Sequence, residues 1–237
     1  MTIHSKFLIH WTGKDIEKKA NNAEDQYIIR LKDILQKGLR MNPGIERIHG
    51  KNEKWVEIKI ARVCFTEVKL TQTEEHAMRY GGLGIGFHRN YVLEREGNPA
   101  FYVQNGDKGH IIENIDFLFK QIKSLSSETN KALEVICGYL KNMSDYNKEE
   151  FKYYDEMEWR VVHIDKLTGP NNYIQDYDEK TEEGDKFYRL KVLPEDIKLI
   201  VFPNNLALEK ALKDKDFCSY FSSYVPNLIT LEDCKNF

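Results

Sequence analysis

The sixteen residues 75–90, EHAMRYGGLGIGFHRN, constrain this chain more than any other stretch, because they place four glycines, Gly81, Gly82, Gly84 and Gly86, within six positions. A glycine in a regular element costs roughly 0.5–1 kcal/mol against alanine, and in return the backbone can take φ > 0 or approach another group closely. Four together predict a shaped loop. Thr71 and Glu74 have the spacing of a capping box, residues 75–80 complete a short helix, and Gly81 ends it in a left-handed cap. Ile85, Phe87, Tyr91 and Val92 then read as a strand leaving the loop. This order, helix before glycines and strand after, is the reverse of a dinucleotide-binding fingerprint, and no GK[ST] end of a P-loop follows.

A chain of 237 residues is long enough for one substantial core, and we expect a single α+β domain over residues 1–237. No apolar run approaches the roughly 20 residues of a membrane span. The N-terminus lacks a long apolar segment with a cleavage signal, which predicts a cytoplasmic protein with no membrane partner. The net charge of −3 gives no overall drive towards nucleic acid, leaving only a local basic pair such as Arg89 with Arg95 for that role. Cys64, Cys137, Cys218 and Cys234 are scattered, without C-x-x-C or zinc spacing, so reduced thiols and no metal are expected.

Residues 7–11, FLIHW, alternate as a short strand with His10 and Thr12 on one face. An amphipathic helix over 23–37 follows, with Tyr27, Ile28, Leu31, Ile34 and Leu35 on its apolar face and Gly38 as its stop. Strands are predicted over 55–65 and 100–103, and a turn over 104–109. A helix face follows at Ile115, Leu118, Phe119 and Ile122, and a second helix over 130–146. Residues 156–164, EMEWRVVHI, read as a strand, and the Pro/Gly/Asn/Asp-rich stretch 168–184 as a long polar loop or hairpin tip. Strands at 187–192 and 197–202 and a helix at 206–212 close the pattern. The irregular interleaving predicts a mainly antiparallel sheet with packed helices.

Four clusters carry chemistry. His10 and Thr12, two apart on one strand face, offer donors and acceptors to a hydroxyl or amide, or else His10 is satisfied within the core. Cys64 leads into Thr66 and Glu67 at a strand end, where Cys64 reads as a core thiol and Glu67 as either a cleft or a solvent residue. His76 and Tyr80, four apart on a helix, share a face beside the glycines, so Tyr80 either stacks on a flat ligand or packs a structural turn. Glu158 and Arg160, with Glu156 two residues earlier, alternate along a strand. A carboxylate beside an arginine stays ionised and can stabilise a developing cation, or it forms a plain ion pair on a sheet face.

With HWTGK, VCFTE, H-x3-YG-x2-GIGF, NPAFYV and EWRVV in view, the chain resembles the AbiGi family of bacterial abortive phage-infection resistance proteins, from His10 to about Phe202. The family is described as the antitoxin half of a two-gene system, so the resemblance implies antiviral defence with a protein toxin as partner. Gly82-Leu83 departs from the family's more usual Lys or Arg and aromatic, and residues 168–184 match nothing recognisable in it. The order strand-His-x-Thr, helix, central aromatic and late strand Glu is also similar to ADP-ribosyltransferase-like folds of the His-Tyr-Glu kind. That second resemblance implies NAD as cofactor: His10 and Thr12 would bind the nucleotide with Gly84 and Gly86 beside it, Tyr80 would stack, and Glu158 would be the catalytic carboxylate. Glu67, His76, Glu156 and Arg160 are further cleft candidates. The competing readings are a non-catalytic antitoxin that binds its toxin through surface contacts, and a nucleic-acid-binding regulator.

Overall fold

The computed structural model describes residues 5–17, 22–49, 55–67, 69–104, 110–122, 127–145, 148–169, 171–180 and 186–236. In chain order, β1 (Phe7–Thr12), α1 (Lys14–Glu17) and α2 (Ala23–Lys37) precede β2 (Leu39–His49), β3 (Trp55–Thr66), α3 (Thr73–Tyr80), β4 (Leu83–His88) and α4 (Arg89–Leu93). The middle of the chain forms β5 (Asn98–Pro99), β6 (Phe101–Val103), α5 (His110–Ile122), α6 (Ser127–Cys137) and β7 (Leu140–Asn142). Then come β8 (Ser144–Asp145), β9 (Lys148–Lys152), β10 (Glu158–Val162), β11 (Ile174–Lys180) and β12 (Lys186–Leu190). β13 (Ile197–Phe202), α7 (Asn205–Lys213), α8 (Lys215–Tyr220), β14 (Asn227–Thr230) and α9 (Leu231–Cys234) complete it. The class is α+β, with mainly antiparallel pairing; β13 with β14 and β6 with β7 are parallel pairs. The chain divides into two compact units, one of Met1–Arg40, Phe65–Glu96 and Arg189–Phe237, the other of Met41–Cys64 and Gly97–Tyr188.

In the first unit, β4 lies between β1 and β13, and β14 continues the sheet beyond β13. α2 forms where the periodicity predicts it: Tyr27, Ile28, Leu31, Ile34 and Leu35 are buried, and acidic Glu24 and Asp25 sit in the first turn where the helix dipole favours them. Gly38, at φ 87°, ends the helix and donates its N–H to the Ile34 carbonyl at 2.8 Å. α3 also forms, and Gly81 caps it at φ 113°, but the predicted capping box does not. Gln72 stands at the cap without a side-chain bond, while the Thr73 hydroxyl donates to the Leu70 carbonyl at 2.7 Å.

The shaped loop ends sooner than its glycines predict, because Gly84 and Gly86 lie inside β4, opposite Trp11 and Ile9 of β1 and Val201 and Leu199 of β13. A Cβ on Gly84 would come within 2.8 Å of the Trp11 ring, and one on Gly86 within 2.8 Å of the Leu199 Cβ. The two glycines are therefore packing positions that make room for large neighbours across the sheet. Tyr91 and Val92 are helical, in α4, where the His88 imidazole accepts from the Asn90 N–H at 3.4 Å; the strand has already ended at His88.

On one face of this sheet Ile9, Trp11, Leu199 and Val201 pack with Ala77 of α3 and Cys234 of α9. Period-two geometry sends Leu8 and His10 to the other face. There Phe65 meets His10 and Phe87 edge-on, and Phe87 stacks on Tyr91 with centroids 4.4 Å apart.

The second unit is built on the hairpin of β2 and β3, paired from Asn42 with Arg62 to His49 with Trp55. β10 pairs with β3 and, through Trp159 and Arg160, with Pro99 and Asn98 of β5. α6 stops at Cys137 rather than continuing to residue 146. Gly138 donates its N–H to the Glu134 carbonyl at 2.8 Å, and a Cβ there would press on Ile60 and Val162 at 3.0 and 3.1 Å. The chain then turns into β7 beside β6. Ile48, Val103, Ile112, Leu133, Cys137 and Leu140 form the apolar core of this unit, with Ile60 and Ile115 packed against it. Part of the polar stretch 168–184 is ordered as β11, which starts at fully buried Ile174, and Thr168 bridges to Ile174. Residues 170 and 181–184 of that stretch, and 105–109 of the predicted turn, lie outside the described residues, as do residues 146–147.

Candidate functional site

The residues singled out from sequence fall into two sets, one in each unit. In the first unit, His10 is half-buried with its ring edge-on to Phe65 at 6.0 Å. Thr12 accepts a hydrogen bond from Arg30 at 2.9 Å, and Arg30 also pairs with Asp15 at 2.6 Å. His76 and Tyr80 share a face of α3 as their spacing predicts, with centroids 6.4 Å apart. Tyr80 packs against the Ile9 and Trp11 side of the sheet, the face opposite His10 and Thr12. Glu67 is buried and paired with Arg89, whose guanidinium also donates to the Ser5 carbonyl at 2.6 Å. The residues expected to hold NAD thus do not converge: the sheet separates His10 and Thr12 from Tyr80, and side chains fill the space over Gly84 and Gly86.

In the second unit the structure does gather a charged constellation. β10 buries Glu158 and Arg160 side by side, and the Arg160 Nε donates to the Glu158 Oε1 at 2.6 Å. Glu156 belongs to the short 3-10 turn Tyr153–Glu156 rather than to the predicted strand, and Met157 between the two carboxylates takes φ 44°. That left-handed position is unusual for a residue with a long side chain. It interrupts the alternation, and both carboxylates reach Lys141: Nζ donates to the Glu156 Oε2 at 2.6 Å and also to the Glu158 Oε2. Arg160 continues the network, donating to the Gly138 and Leu140 carbonyls at 2.8 Å each and to the Glu46 Oε2 at 2.9 Å. Arg62 meets the same Glu46 oxygen at 2.9 Å. The Glu158 N–H donates to the Tyr102 hydroxyl at 2.8 Å.

The electrostatics follow from this geometry. Burial works against charge on Glu158, but Lys141 and Arg160 outweigh it and hold the carboxyl down at about 2. Burial, with Glu158 close by, pushes the Cys64 thiol up to about 12, so Cys64 is not a nucleophile near neutral pH. Burial likewise raises Tyr102 to about 12. Three carboxylates, Glu46, Glu156 and Glu158, are matched by three cations, Arg62, Lys141 and Arg160. Such a set is neutral overall, and it joins β2, β3, β7 and β10.

Sequence reading found Glu156, Glu158 and Arg160 but missed Glu46, Arg62, Lys141 and Tyr102. Glu46 lies on a strand masked by Asn42-Pro43-Gly44, and Lys141 sits within the span read as helix. No metal-binding group of three or more His, Cys, Asp or Glu occurs among the described residues, and none of their helices is long and apolar enough to cross a membrane. The same unit also exposes large apolar side chains on its helices: Ile111, Phe117 and Leu118 on α5 and Ile136 on α6, the last 64 % exposed.

Neither a curated protein nor a solved structure matches the chain. A family model does, over residues 47–203, and its description is "Putative abortive phage resistance protein AbiGi, antitoxin". That match takes in β3, the glycine run and the whole of the Glu158 network except Glu46. Since it spans more than half of the 237 residues, the chain belongs to the AbiGi family of abortive phage resistance proteins.

Proposed function

We propose that this chain is the antitoxin of an abortive-infection pair and holds a protein toxin through the apolar surface of α5 and α6. The observation that carries this reading is the exposure of Ile111, Phe117, Leu118 and Ile136 on two helices that pack on one another within the family-matched region. Large apolar side chains left exposed on two packed helices are a common mark of a protein-binding surface. The core beneath is already filled by Ile112, Leu133 and Cys137, so these outward residues add nothing to it.

The charged network favours binding over catalysis. Both oxygens of Glu158 are engaged by cations of its own unit, which leaves its charge compensated before any ligand arrives. One observation favours the alternative, an NAD-dependent ADP-ribosyltransferase: Glu158 is held ionised, as a carboxylate that stabilises positive charge must be. Against it, the expected NAD-binding residues do not converge.

The test is co-purification of the chain with its toxin, read by gel filtration. The wild type is expected to form a stable complex, and Phe117→Asp with Ile136→Asp to abolish it while far-UV circular dichroism stays unchanged. A complex of undiminished affinity in the double variant would remove this surface from the account, and no complex with wild type would remove the antitoxin role. Calorimetric titration of the same preparation with NAD settles the alternative: saturable binding lost in both His10→Ala and Tyr80→Ala would put the transferase first.

A further inference from the structure

The second unit also holds a groove of about 700 Å³ whose lining includes no member of the buried ion network and none of the exposed apolar residues proposed for toxin binding. That volume lies within the roughly 300–1,000 Å³ usual for small-molecule sites. Its apolar lining comes from Ile60 and Ala61 of β3 and from Ala132 and Val135 of α6. Glu128, Lys131 or Ala132, and Val135 recur at helical spacing, so one face of α6 lines the groove while Leu133 and Cys137 point into the core.

One wall is aromatic. His163 and Tyr188 stack with centroids 3.7 Å apart and ring planes 29° apart, and a hydrogen bond of 3.0 Å between the Thr168 hydroxyl and the His163 Nε2 fixes the imidazole. Neither ring is fully buried, and both line the groove. Lys59, Lys131 and Lys166 line the groove together with Asp165, which pairs with Lys131 at 2.7 Å. Glu128 and Glu134 add acceptors.

Each part of this lining matches one part of a single ligand class. A preformed π surface with an apolar lining takes a flat heterocycle, and such stacking is worth about 1–3 kcal/mol per base. Ammonium groups take a phosphate, and carboxylates accept from ribose hydroxyls or an exocyclic amine. The volume holds one nucleotide rather than a strand, and the chain's net charge of −3 opposes a polyanion.

We propose that this groove binds a 5′-mononucleotide, with the base against the His163–Tyr188 pair and the phosphate at Lys59 and Lys166. The groove and the proposed toxin-binding surface share no residue, although both draw on α6.

The experiment titrates the full chain with AMP, adenosine and inorganic phosphate by calorimetry. AMP is expected to bind saturably and more tightly than either fragment. Tyr188→Ala should weaken AMP about tenfold, as loss of one stacking contact implies, while Tyr188→Phe should bind as wild type does. Lys59→Ala with Lys166→Ala should reduce AMP to the affinity of adenosine. No AMP binding by the wild type, equal binding by Tyr188→Ala, or phosphate binding as tightly as AMP would each overturn the proposal. An unchanged far-UV circular dichroism spectrum of Tyr188→Ala serves as the folding control.

Discussion

The two units solve the problem of a buried sheet in opposite ways. In the first, the central strands bury uncharged residues: Leu83, Ile85 and Phe87 lie on one face of β4 with Gly84 and Gly86 on the other, and Ile200, Val201 and Phe202 of β13 are fully buried. Its buried charges, such as Glu67 with Arg89, Arg95 with Asp196 and Arg189 with Asp33, each have a partner that is partly exposed. In the second, β10 carries Glu158 and Arg160 inward and completes them with Lys141, itself buried. Dispersion and area burial hold the first interior, and they degrade gradually as atoms are removed. Paired charge holds part of the second, and it fails abruptly when one member is lost, because the remaining members stay buried without compensation.

The largest effect that would break this contrast comes from Arg160→Ala. It strands Glu158 and the Gly138 and Leu140 carbonyls, and it should cost about 3–5 kcal/mol. Phe87→Ala in the first unit should cost a similar amount for a different reason, a cavity. Urea unfolding followed in single-tryptophan variants separates them: Trp159 should report the first loss and Trp11 the second. If Arg160→Ala moved the Trp11 transition as far as the Trp159 one, the two interiors would not be energetically distinct.

Acid sharpens the comparison next. The folded-state pKa of Glu158 is depressed, so its contribution is fully present above its ordinary value of 4.5 and is lost as pH falls from there towards about 2. The Trp159 transition should therefore lose stability over that window, and Glu158→Gln, already destabilised near neutrality, should flatten the dependence. A wild-type transition independent of pH across the same range would mean that Glu158 is not held ionised in the folded protein.

The smallest effect belongs to the glycines. Gly86→Ala drives a methyl against Leu199 and should cost about 1–3 kcal/mol. In a double-mutant cycle, Leu199→Gly, which removes the colliding Cβ, should recover part of that cost. Strict additivity of the two changes would separate Gly86 from Leu199.

Much of the first unit was legible because its signals are local. The apolar face of α2, its Gly38 stop and the strand Ile197–Phe202 follow from periodicity within a dozen residues. The roles of Gly84 and Gly86 were not legible, since Trp11 and Leu199 lie far away in sequence and only the strand register brings them over the glycines. In the second unit Glu158 and Arg160 stood out by their alternation, but their partners Lys141 and Glu46 come from other strands. The kink at Met157, which lets Glu156 join them, has no glycine or asparagine to announce it. A charged constellation assembled from four strands leaves a trace at only one of them.

The matched charge of the Glu46, Glu156, Glu158, Arg62, Lys141 and Arg160 set also governs how this interior meets dissolved ions. Exposed pairs such as Arg47 with Glu57 are weakened by counterions, since at physiological ionic strength the screening length is only about 8 Å. A neutral set presents no net charge for counterions to gather around, and its centre, Lys141, Glu156, Glu158 and Arg160, is buried. Raising potassium chloride should erode the rim of the second unit while leaving its ionic centre untouched, so that here electrostatic cohesion is insensitive to salt.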